Sequence, residues 1–132
     1  MPAYAQHIEQ AEHNESTLAF WHQQGKQTEF SDWYVTVSFY AALHYFEAMI
    51  TVVKPTAVGD IVEHTSDHHS RNNTMRSAFN RIYGTYARLY QMSKAARYNC
   101  HTPRSHKWPL AEKYLADVKQ ECGKLTPGTA KQ

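Results

Sequence analysis

Three groups of side chains able to bind ligands or move protons interrupt the apolar pattern of this 132-residue chain. The first is His44, with Tyr40 one turn before it and Glu47 one turn after. An imidazole inside an apolar helix must find a hydrogen-bond partner, because an unmatched buried polar group costs about 1–3 kcal/mol. His44 therefore reads either as a satisfied core histidine or as a binding residue. The second group is His64, His68, His69, Arg71 and Asn72. At the entry to a helix, His69, Arg71 and Asn72 would stand beside free backbone N–H groups that favour an anion, and the arginine fork suits phosphate. A capped, solvated turn would use the same residues. His64 and His68 have the i, i+4 spacing of paired metal ligands, but no HExxH, cysteine pair or nearby carboxylate set completes a zinc site. No metal and no cofactor is expected. The third group is Arg97, Tyr98, Asn99, Cys100, His101, Arg104 and His106. Arg97 and Tyr98 either cap a helix C-terminus, where cations are favoured, or bind a ligand.

The elements that must position these groups are helical. The stretch 31–53, SDWYVTVSFYAALHYFEAMITVV, starts with Ser31 as a candidate N-cap and Asp32 at the positive end. Phe30 and Val35 occupy the positions of a hydrophobic staple, and Lys54-Pro55 closes the segment. Trp33, Val37, Tyr40 and His44 share one face, while Val35, Phe39, Ala42, Phe46 and Ile50 lie on others. A helix apolar nearly all round is covered on more than one side. At about 33 Å it spans a small domain. Around it, a first helix is expected over 3–24, stopped by Gly25, with His7 and Asn14 at the edge of its apolar stripe and Glu15 interrupting it. A third is expected over 67–96, with Met75, Phe79, Ile82, Tyr86, Leu89 and Ser93 inward and Gly84 permitting close approach. A fourth is expected over 109–122, opened by Pro109, lined by Ala111, Tyr114, Leu115, Val118 and Cys122 and ended by Gly123. Residues 123–132 read as a flexible tail. The expected architecture is one all-α domain over 1–132, an up-and-down four-helix bundle.

Composition narrows the function classes. With 14 Lys and Arg against 12 Asp and Glu, the net charge of +2 makes no strong electrostatic case for nucleic acid. Two cysteines make no disulfide framework, the N-terminus lacks an apolar signal-peptide core, and the charge-free run 33–46 is too short to cross a bilayer. A cytoplasmic chain with no membrane association is expected. An unbroken third helix would hold Arg71 and Arg97 about 39 Å apart. The second and third groups then form one site only if that helix breaks or a second subunit supplies the other half.

The blocks DWYVTVSFYAALHYFEA, HHSRN and YARLYQMSKAARY, in that order, resemble the HEPN superfamily (higher eukaryotes and prokaryotes nucleotide-binding domain), in particular its small stand-alone prokaryotic members. The resemblance spans roughly residues 4 to 120. It implies a helical bundle that dimerises through long helices and interacts with nucleotide or RNA. It also implies one of two roles: a metal-independent RNase of toxin or defence type, or a non-catalytic module working beside a nucleotidyltransferase. Active members carry an arginine and then a histidine with about four to six residues between them, the histidine serving as acid or base. Arg97 and His101 are the nearest match here, with three residues between them. The resemblance makes them the candidate catalytic pair, with His44, His69, Arg71, Asn72 and Tyr98 as candidate binding residues. A third reading, a small-ligand or metal-binding bundle using His44 and the loop histidines, stands beside these.

Overall fold

The computed structural model describes residues 3–53, 80–98 and 107–125. Within them the chain forms four α-helices and no strand: α1 (Tyr4–Gln23), α2 (Ser31–Val53), α3 (Asn80–Tyr98) and α4 (Trp108–Gly123). Side-chain pairs give their directions. Tyr34 reaches Trp21 and His7 reaches Glu47, so α1 and α2 run antiparallel. Phe46 meets Tyr86 while Tyr40 meets Arg97, so α2 and α3 run antiparallel. Tyr34 also meets Trp108 and Glu112, placing the start of α4 beside the start of α2. The fold is an all-α, up-and-down four-helix bundle, and α2 packs against all three other helices.

The central position of α2 follows from its apolar circumference. Val35, Phe39, Ala42, Phe46 and Ile50 are almost completely buried, and so are Ala41, Ala48 and Met49 on other sides of the same helix. Phe39 stacks on Tyr90 and tilts against Tyr86, while Phe46 meets Tyr86 edge-on at 4.6 Å. These rings join α2 to α3, whose inward residues Ile82, Tyr86, Leu89 and Ser93 keep the four-and-three spacing of bundle packing. On α4, Ala111, Leu115, Val118 and Cys122 are buried. The stretch Ser31–Val52 is long and apolar enough to cross a membrane by length and composition, contrary to the shorter count from its charge-free core. Here 72% of its most apolar window is buried inside the bundle.

Several helix ends differ from the sequence expectations. Gly25 does end α1: its φ of +64° lies in the left-handed region. Its N–H donates to His22 and that of Lys26 donates to Trp21, a Schellman closure. Ser31 does not cap α2. Its hydroxyl is buried with no hydrogen-bond partner among the described residues, and the Phe30 carbonyl instead accepts the Tyr34 N–H at 2.8 Å. Phe30 itself is exposed rather than a member of the core cluster. Pro109 is the second residue of α4, after Trp108. Gly123 ends that helix without a left-handed turn, through bonds from Lys124 to Glu121 and Leu125 to Cys122. Gly84 is exposed, and a β-carbon there would meet nothing within 4 Å among the described residues, so no close approach to them requires it. The expected segment 67–79 of the third helix lies outside the described residues.

Candidate functional site

Polar groups gather at two places on α2, on the face that carries Trp33, Val37, Tyr40 and His44. That face is its least covered, with Trp33 56% exposed and the other three part-buried.

The first place lies between α1 and α2. His7 is 4% exposed, so it belongs to the interior of α1 rather than to the edge of its stripe. Antiparallel packing brings it against His44 and Glu47, which are one turn apart on α2. His7 Nδ1 is 3.0 Å from Glu47 Oε2 and 3.2 Å from His44 Nδ1. The third side, from His44 Nδ1 to Glu47 Oε2, is 3.6 Å. The two imidazole rings are 5.5 Å apart and tilted by 32°. Glu47 is buried, and the side chain of His44 retains about a quarter of its exposure. Two imidazole nitrogens and a carboxylate oxygen thus converge on one small volume, a donor set able to hold a cation or share a proton.

The second place is an open cleft of about 320 Å³ where the end of α3 meets the start of α2, lined by Asp32, Trp33, Thr36, Ala96 and Arg97. Arg97 is braced there. Its Nε donates to the Ser93 carbonyl at 3.2 Å, one terminal nitrogen donates to Tyr40 Oη at 2.8 Å, and the other reaches Ser93 Oγ at 3.5 Å. A guanidinium has five N–H groups in a planar fork. The two left over among the described residues lie one on each terminal nitrogen and can donate to a phosphate or carboxylate. The cation also lies near the rings of Tyr40, at 5.6 Å, and Tyr98, at 5.2 Å. Tyr98 is 75% exposed beside the guanidinium, and Trp33 gives the cleft lining an aromatic surface open to solvent. Asp32 sets a carboxylate against the Arg97 charge, so the cleft is not a strong anion trap.

The sequence-derived candidates divide accordingly. Arg97 lines the cleft, with the Tyr98 ring 5.2 Å from its guanidinium. His44 belongs instead to the His7–Glu47 group, two turns and about 12 Å along α2 from Thr36. His69, Arg71, Asn72 and His101 lie outside the described residues. The participation of His7 and Glu47 was missed. Its signals were a histidine on the inner stripe of α1 and a His-x-x-Glu pair one turn apart on α2; only the register between the helices joins them.

Other ionisable side chains in the core hold structure. Tyr34 donates to Glu112 at 3.0 Å, and burial, followed by that carboxylate, raises its pKa well above the ordinary phenol value. Tyr45 donates to Glu15, which Lys119 also meets at 3.2 Å; its pKa is raised by burial first and then by Glu15. Glu15 therefore interrupts the α1 stripe to pair with α2 and α4. Burial pushes the Cys122 thiol up to about 11, so it is protonated and unreactive at neutral pH.

Compared with protein-family models, characterised proteins and solved structures, the chain matches none.

Proposed function

We propose that this chain is a HEPN-like protein that binds nucleotide or single-stranded RNA at the Arg97 cleft. The observation that carries the reading is the bracing of Arg97 by Ser93 and Tyr40 beside the exposed rings of Trp33 and Tyr98. Phosphate takes the end of the Arg97 fork, and a base stacks on an aromatic side chain, an interaction that tolerates any base. Asp32 then accepts from a ribose hydroxyl or an exocyclic amine. A cleft of about 320 Å³ lies at the lower end of small-ligand sites and suits one nucleotide. The opposing charges of Asp32 and Arg97, and the net charge of +2, favour modest, salt-sensitive affinity.

Cleavage is the catalytic extension of this reading. Arg97 would steady the charge of the phosphorane while His101 serves as acid or base, with no metal required. A homodimer acting in the cytoplasm is part of the same reading. The test combines binding and cleavage of labelled RNA in EDTA for the wild type, Arg97→Ala and His101→Ala. Binding lost in Arg97→Ala, with cleavage lost in both variants, supports the ribonuclease. Binding that depends on Arg97 without any cleavage supports the non-catalytic module that works beside a nucleotidyltransferase. Binding indifferent to Arg97 removes the site.

A further inference from the structure

We propose that His7, His44 and Glu47 form a binding site for one divalent first-row transition ion, zinc foremost, clamping α1 to α2. This group is separate from the Arg97 cleft and belongs to no step of the proposed RNA chemistry.

The argument is geometric. Tetrahedral zinc with bonds of about 2.05 Å separates its donor atoms by about 3.35 Å. The three donors here are separated by 3.0, 3.2 and 3.6 Å. A point about 2.05 Å from all three atoms lies about 0.8 Å out of their plane, against about 0.7 Å in an ideal tetrahedron. An ion can enter with small side-chain adjustments and no helix movement. A simple buried histidine–glutamate pair would account for the 3.0 Å contact alone. It does not require a second imidazole nitrogen to point at the same spot from the facing side.

Chemistry and placement agree with the geometry. Two imidazoles and a carboxylate suit zinc and its neighbours; calcium and magnesium prefer sets made wholly of oxygen. Donors contributed by facing helices are the usual construction of metal sites in bundles. His7 and Glu47 are buried, while the part-exposed side of His44 provides a route for the ion and a position for a further donor. Carboxylate and imidazole donors on two helices make the ion a cross-link, so loading should be legible in thermal stability as well as in metal content.

The test uses the full chain. Metal content is measured by elemental analysis as purified. The protein is then stripped with a chelator and titrated with Zn²⁺ and Co²⁺, following heat, the visible spectrum of bound cobalt and the melting temperature. One ion per chain, a tetrahedral cobalt spectrum and a rise of several degrees in melting temperature are expected. His44→Gln and Glu47→Gln should each weaken binding at least about a hundredfold, more than loss of a supporting contact. His13→Ala, on the exposed side of α1, and Arg97→Ala should bind as the wild type does. Circular dichroism verifies that each variant is folded; should Glu47→Gln fail to fold, the part-exposed His44 supplies the decisive variant. Failure of the stripped wild type to take up either ion at micromolar concentration overturns the proposal. So does undiminished binding in the two glutamine variants, which would place the metal on other histidines.

Discussion

Replacing Arg97 by lysine retains the charge but removes the fork, and this separates a braced phosphate clamp from a merely positive surface. Lysine has three donors on one rotating nitrogen and cannot span Ser93 and Tyr40 while also meeting a ligand with two parallel bonds. A hydrogen bond to a charged group contributes about 1.5–3 kcal/mol, and the open cleft argues for the lower end. Losing one of two such bonds predicts about tenfold weaker nucleotide binding in Arg97→Lys. Losing both in Arg97→Ala predicts about a hundredfold. The assay is titration of a nucleoside monophosphate and a short single-stranded RNA at fixed ionic strength, read by calorimetry or anisotropy. Thermal melting is run in parallel, because Arg97 also ties α3 to Tyr40 on α2. Stability should fall by about 1 kcal/mol for lysine, which keeps the charge and can still reach one of these acceptors at this part-exposed site. If Arg97→Lys binds within twofold of the wild type while Arg97→Ala does not, charge alone suffices and the bracing by Ser93 and Tyr40 is irrelevant to binding.

Three further outcomes are expected. Trp33→Ala should weaken single-stranded RNA binding by about 1–3 kcal/mol, the scale of one stacked base, with little change in melting temperature because the ring is already 56% exposed. Gly84→Ala should stabilise the fold by about 0.5–1 kcal/mol in urea unfolding, since the added methyl meets no neighbour among the described residues and the helix loses a flexible residue. Stability should also decline between about pH 9 and 11. Cys122 rises from 9.0 to about 11 in the folded chain, so the folded state holds this proton more tightly. Its contribution is fully present below the unfolded value and disappears as pH rises through the folded one. The full two-unit shift corresponds to about 3 kcal/mol as an upper bound. Raised Tyr34 and Tyr45 act in the same direction at higher pH. Urea midpoints across this range should fall less steeply in Cys122→Ala; an identical slope would remove Cys122 as the cause.

Much of the bundle is legible in the order of the residues, because burial of apolar side chains is a periodic property. The apolar circumference of 31–53 implies the central helix, the four-and-three steps through Tyr86, Leu89 and Ser93 imply the inward face of α3, and Gly25 marks a left-handed stop. Helix caps were less legible. Whether Ser31 caps α2 depends on where its hydroxyl points after packing, and the structure leaves it buried while a backbone carbonyl opens the helix. The role of Gly84 likewise depended on a close neighbour, and none of the described residues supplies one.

The sequence alone determined that His44 needs a partner and that Arg97 stands at a helix end, since both follow from local chemistry. Only tertiary structure decided what each of them faces. The antiparallel register of α1 on α2 carries His7 across 37 positions to His44 and Glu47, and the crossing of α3 over the start of α2 sets Arg97 beside Trp33 and Asp32. Such encounters depend on the relative slide and rotation of whole helices, set by contacts such as Trp21 against Tyr34 for α1 and Phe39 and Phe46 against Tyr86 for α3, rather than by any spacing within one segment.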